Sequence, residues 1–127
     1  MCHQTVSLIA RYLEENGLPT VVIGAARDIV EHCGVPRFVF VDFPLGSPCG
    51  EPWNLPQQRQ VFQASLDLLA NATGPRTTVA PTLTWSKGYD WKRLVFTPEQ
   101  PWQDPETHAK WMARKEEYRR LKAEGKV

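Results

Sequence analysis

The first 72 residues alternate between two hydrophobic periods. From Thr5 to Asn16, apolar residues fall at Val6, Ile9, Ala10 and Leu13, the i, i+3, i+4, i+7 stripe of an amphipathic helix. Gly17 suits the left-handed position just past a helix end, and Pro19 lies beyond it. The β-branched run Pro19-Thr-Val-Val-Ile23, closed by Gly24, predicts a short strand buried on both faces. Ala25 to Cys33 carries Ile29, Val30 and Cys33 on one side and stops at Gly34, a short helix. Arg37-Phe-Val-Phe-Val-Asp42 is a second strand, and residues 43–56 are a loop holding four prolines and two glycines. Asn54 with Gln57 three residues on has the capping-box form. The helix it opens runs to about Ala72 and is expected to bury Val61, Phe62, Ser65, Leu66 and Leu69.

This α–β–α–β–α order with short connections predicts right-handed crossovers and a parallel sheet. Two strands do not make a stable sheet alone, and the first helix has no strand to feed it. Partner strands are therefore expected from another chain, or the chain is the tail end of a larger domain. A homodimer would complete the sheet across its open edge.

The rear of the chain is different. Thr77 to Trp85 alternates weakly, as an edge strand would. Lys87 to Gln103 spreads Trp91, Phe96 and Trp102 among polar residues and prolines, an irregular aromatic arm. Asp104-Pro105 is a helix start, with Asp as cap and Pro in the first turn. The helix to about Ala123 sets Trp111, Tyr118 and Leu121 on one side and charge elsewhere. The fold class is therefore α/β: a small or incomplete parallel sheet with flanking helices (residues 1–75), followed by an aromatic-rich arm and a charged C-terminal helix (residues 76–127).

Charge sharpens that division. Residues 1–72 hold four Lys and Arg against seven Asp and Glu, and no lysine precedes Lys87. The whole chain of 127 residues has a net charge of +1, which gives no electrostatic case for nucleic acid or an anionic membrane. Its apolar runs are too short for a transmembrane helix. Three cysteines without a secretory signal point to reduced thiols and a cytoplasmic protein.

Cys2 leads the residues that could carry chemistry. It stands just ahead of the first helix, whose unpaired N–H groups and dipole favour a thiolate, the nucleophilic form. His3 beside it could hold a proton. A cysteine at a frayed terminus with no role is the competing reading. Cys33 falls on an apolar face and reads as a small core hydrophobe. Cys2-His3 and His32-Cys33 do not have the spacing of a zinc site, so no metal is expected. The loop Pro44-Leu-Gly-Ser-Pro48-Cys-Gly50 comes after a strand's C-terminal end, where open α/β sheets bind ligands. There Gly46 lets backbone approach a small-molecule substrate, Ser47 offers a hydroxyl and Cys49 a thiol; the competing reading is a rigid turn. Asp42, ending a strand, is either an acid–base group or a cap, and Asp28 suits the first turn of its helix.

Gly17-Leu-Pro-Thr-Val-Val-Ile23, Gly34 with Pro36-Arg-Phe-Val39, Pro44-Leu-Gly-Ser-Pro48, and Arg59, Val61, Ala64-Ser-Leu66 and Leu69 together resemble the C-terminal part of one family. This is the selenoprotein B subunit of glycine, sarcosine and betaine reductases, with its D-proline reductase counterpart. The resemblance covers roughly residues 2–72 and none of the chain after about residue 85. It implies a selenocysteine or cysteine, paired with a cysteine a few residues downstream, that attacks the substrate and releases an amine or opens a ring. A pyruvoyl-bearing partner subunit and small thiol redox proteins would assist. Cys2 matches the downstream cysteine. The attacking residue is expected upstream of Met1, lost if a selenocysteine codon was read as a stop. Asp42-Phe43 departs from the more apolar or histidine-bearing stretch expected there. No cofactor is expected of this chain itself. Two other readings stand beside this one: a cofactor-independent racemase or lyase using Cys2 and Cys49, and a non-catalytic interaction subunit whose aromatic arm wraps a partner.

Overall fold

The computed structural model describes residues 2–94 and 105–125. The elements run in the order α1 (Cys2–Glu15), β1 (Val22–Gly24), α2 (Arg27–Cys33), β2 (Arg37–Phe40), α3 (Leu55–Asn71), β3 (Thr77–Val79), a 3-10 turn (Asp90–Leu94) and α4 (Pro105–Ala123). They divide into two compact units, Met1–Gly88 and Tyr89–Val127. The first unit runs on past residue 75 because the segment after α3 supplies its third strand.

That strand pairs in parallel with β2, as β1 does, so the sheet has the order β1-β2-β3 with β2 central. The Val41 N–H continues the ladder to the Gly24 carbonyl at 2.9 Å. Alternate residues of each strand face opposite ways. Val22 and Phe38 pack with Ala10 of α1 and Val30 of α2 on one face; Val39 packs with Val61 and Leu68 of α3 on the other. The result is helix, sheet, helix, with Phe38 and Val39 at 1% and 0% exposure in the middle.

Both connections step the same way across this sheet, yet α2 and α3 lie on opposite faces. The two crossovers therefore have opposite hands, and one departs from the right-handed rule expected of them. The helix faces also differ from the hydrophobic pattern. In α1 the buried residues are Ser7 and Ala10, while Val6 and Ile9 are 43% and 53% exposed. Small residues let the helix come close, and Ser7 satisfies its hydroxyl by donating to the His3 carbonyl at 2.6 Å. In α3 the core stripe is Gln57, Val61, Ser65 and Leu68; Phe62 and Leu66 face outward.

The N-terminal end of the sheet is tied by one carboxylate. Glu14, in the last turn of α1, takes hydrogen bonds from the Thr20 N–H and hydroxyl and from Arg37 Nη1 at 2.6 Å. On the far side of the unit, the Asn54 side chain accepts from the Gln57 N–H, as an N-cap should. The Gln57 side chain does not reach back to Asn54 as a capping box would. It accepts from the Glu51 N–H at 2.7 Å and donates to the Thr84 carbonyl at 3.2 Å, joining the 44–56 loop to the segment after β3. Trp85 then packs edge-on against buried Phe43 with ring centroids 5.0 Å apart.

In the second unit α4 buries none of its residues. Polar and charged groups surround the helix, as in a solvated one, and Lys115 lies over the Trp111 ring at 4.6 Å. Phe96, Trp102 and the expected cap Asp104 lie outside the described residues.

Candidate functional site

The C-terminal ends of β1 and β2 lie side by side, and the segments leaving them meet the start of α1. A cleft of about 560 Å³ opens there, walled by Cys2, His3 and Val6 of α1, Ile23 and Ala25 at the end of β1, and Leu45, Gly46 and Pro48 of the loop after β2. This is the end of a parallel sheet at which ligands commonly bind. Its walls are mostly apolar, with a thiol, an imidazole and loop backbone as the polar groups, a pattern typical of small-molecule pockets.

Cys2 is the first residue of α1, which begins three residues before the Thr5 start that the hydrophobic pattern indicates, and it is exposed. His3 is half-buried. Its Nε2 accepts a hydrogen bond from the Ala25 N–H at 3.3 Å, tying the first turn of α1 to the end of β1. Gly46, at φ 99°, adopts a conformation that favours glycine, and so brings loop backbone to the cleft wall.

Ser47 and Cys49 stand in the same loop but outside that wall. The Ser47 N–H donates to the Pro44 carbonyl at 3.0 Å, which closes a turn. Cys49 is exposed. Gly50 beside it is buried at φ 110°, and a Cβ there would meet the Gln58 N at 3.2 Å, so the loop is pressed onto the start of α3. Glu51 fastens the other side. Its carboxyl is held below the usual carboxylate value, first by the hydrogen bond from the Ser86 N–H, with help from the Ser86 hydroxyl, Asn54 and Lys87, against a smaller opposing effect of desolvation.

Cys33 is half-buried rather than packed in the core, and lines a separate shallow hollow with Gln4, Asp28, Ile29 and His32. The two Cys-His pairs are thus apart. Among the described residues no three His, Cys, Asp or Glu side chains gather as a metal site would require, and no helix is long and apolar enough to cross a membrane. Sequence reasoning misses the apolar cleft walls Val6, Ile23, Leu45 and Pro48, because their role depends on which elements meet in space. By sequence alone Gly24 is no more than a strand terminator.

No family model and no solved structure matches the chain. A curated protein does match: the D-proline reductase subunit gamma of Acetoanaerobium sticklandii, 37% identical over 68 residues. The match takes in 54% of this chain but only 28% of that protein, so the chain corresponds to little more than a quarter of its relative.

Proposed function

We propose that this chain is a subunit, or part of a subunit, of a thiol- or selenol-dependent reductase acting on a small amino-acid-like substrate. The observation that carries the reading is the cleft: it joins Cys2, His3 and Gly46 at the strand ends of a chain similar to a reductase subunit. In this reading Cys2 is the resolving thiol. A selenolate or thiolate from outside the present sequence attacks the substrate carbon and expels nitrogen. Cys2 then attacks that sulfur or selenium, the carbon leaves with the electron pair and takes a proton, and a disulfide or selenenylsulfide remains. His3 lines the cleft beside Cys2, solvent supplies the proton, and a small thiol redox protein restores the reduced pair. A pyruvoyl-type partner subunit prepares amino substrates. The protein is expected in the cytoplasm, with the β1 edge and the outward Phe62 and Leu66 covered by a partner or a second copy.

Two arms test this. Native protein isolated from cells grown on radioactive selenium is expected to carry label and to exceed 14.5 kDa. In the native complex, dithiol-driven reduction of D-proline or glycine is expected to fall by about 100-fold or more in Cys2→Ala and to change little in Cys49→Ala. The 127-residue chain alone is expected to reduce neither substrate at a useful rate. Full activity in Cys2→Ala would end this reading. The racemase alternative needs a thiol opposite Cys2, and Cys49 stands outside the cleft wall. The interaction-subunit alternative draws on the outward apolar residues of α1 and α3, and unlabelled native protein of 14.5 kDa without reductase activity would favour it.

A further inference from the structure

We propose that His3 is a positioning residue whose neutral imidazole seats the first turn of α1, and with it Cys2, on the end of β1, and unseats it on protonation. The proposal rests on the reductase reading only in taking Cys2 as the thiol that matters. An Nε2 that accepts from the Ala25 N–H at 3.3 Å carries no proton, so the neutral ring holds its hydrogen on Nδ1. This bond spans 22 residues and joins helix to strand end.

Gly24 supplies the second observation. Its backbone is not in the left-handed region, so the chain path does not call for glycine. The packing does: a Cβ on Gly24 would lie 3.0 Å from His3 Cδ2, 3.3 Å from its Nε2 and 3.4 Å from Phe38 Cε2, so the imidazole would have to give way by a few tenths of an ångström. Imidazole and glycine are a fitted pair. The Ser7 hydroxyl bond to the His3 carbonyl holds the same residue into its helix, so the contact that anchors the ring anchors the turn. Cys2 is the neighbouring residue in that turn and lines the cleft with Gly46.

The donor sets the sign of the pH effect. A proton on Nε2 would set an N–H against the Ala25 N–H, and the bond is lost. Cys2 is therefore seated while the ring is neutral and released when the ring takes a second proton. In the cleft wall Cys2 is the other titratable group. On α2, which packs on α1, Asp28 and His32 face the separate hollow, and Arg27 and Glu31 pair with each other at 2.9 Å. Asp42 comes after β2 at the same end of the sheet, and Arg11 of α1 donates to the Cys33 carbonyl.

The full chain tests this without any substrate, so failure here and failure of the reductase reading are separate results. Ring nitrogen shifts are expected to show the Nδ1–H tautomer, and the Ala25 amide resonance should move together with protonation of the His3 ring. Iodoacetamide labelling of Cys2, relative to exposed Cys49, is expected to slow by roughly threefold or more in His3→Ala. His3→Gln, which keeps an acceptor but cannot take a proton, is expected to stay within about twofold of the parent in Cys2 labelling and to lose any pH dependence that follows protonation of the ring. Gly24→Ala should behave as His3→Ala; should it fail to fold, the titration of the parent decides. An Nε2–H tautomer, an Ala25 amide that ignores the titration, or an unchanged Cys2 to Cys49 ratio in His3→Ala would each overturn the proposal.

Discussion

Glu51 shows how one carboxylate can order a loop. It accepts from the Ser86 N–H, and that bond first of all holds its pKa below the ordinary glutamate value. A lowered folded value means that the ionised form is favoured by folding, so the contribution is complete above the ordinary carboxylate range and is lost as pH falls through the lowered value. The Ser86 amide resonance is expected to shift on acidification with a midpoint below that of an ordinary glutamate; Glu51→Gln should abolish that shift. An amide that moved equally in the variant would put the acid response elsewhere. At this scale the sequence is informative where a residue's role is set by its position in an element. Cys2 at a helix start and Gly46 after a strand can be read so, and both line the cleft. The pairing of His3 with Gly24 cannot, because it joins residues of different elements, and no local pattern announces it.

Elements are legible to the extent that backbone preference decides them. Val21, Val22 and Ile23, and Phe38 to Val41, are strand-forming runs between glycine and proline punctuation, and the structure places β1 over Val22 and Ile23 and β2 over Phe38 to Phe40. Which face each helix buries is less legible. A pattern of large apolar residues predicts the stripe with most hydrophobic area, but close packing of α1 selects Ser7 and Ala10. Gln57 illustrates the same limit: its sequence spacing predicts a local cap, and the tertiary fold commits its side chain to Glu51 and Thr84. Gln57→Ala leaves two backbone partners unpaired and is expected to cost about 1–3 kcal/mol. Asn54→Ala, which removes one capping acceptor, is expected to cost about 1 kcal/mol. Urea unfolding at constant m-value checks the order; a larger loss in Asn54→Ala would deny Gln57 its bridging role.

For the molecule as a whole, alternation of helix and strand is enough to read a parallel sheet of this class, and the weak alternation after Thr77 foreshadows the third strand. The opposite hands of the two crossovers are not readable, since hand depends on which face α3 takes, and that is a matter of packing between distant segments. The two ends of the sheet also carry different duties. One holds the cleft, whereas the other holds Glu14, Thr20 and Arg37 in one knot. Those three residues lie within 24 positions of one another, so they can meet early in folding, before α3 and β3 are in place. Arg37→Gln is accordingly expected to slow refolding while leaving unfolding nearly unchanged, the signature of a contact already made in the transition state. Stopped-flow chevrons decide it; faster unfolding with unaltered refolding would mean the knot is tied last. If it is tied first, the end of the sheet without a cleft sets the order of assembly, and the end that holds the cleft takes shape on a foundation already laid.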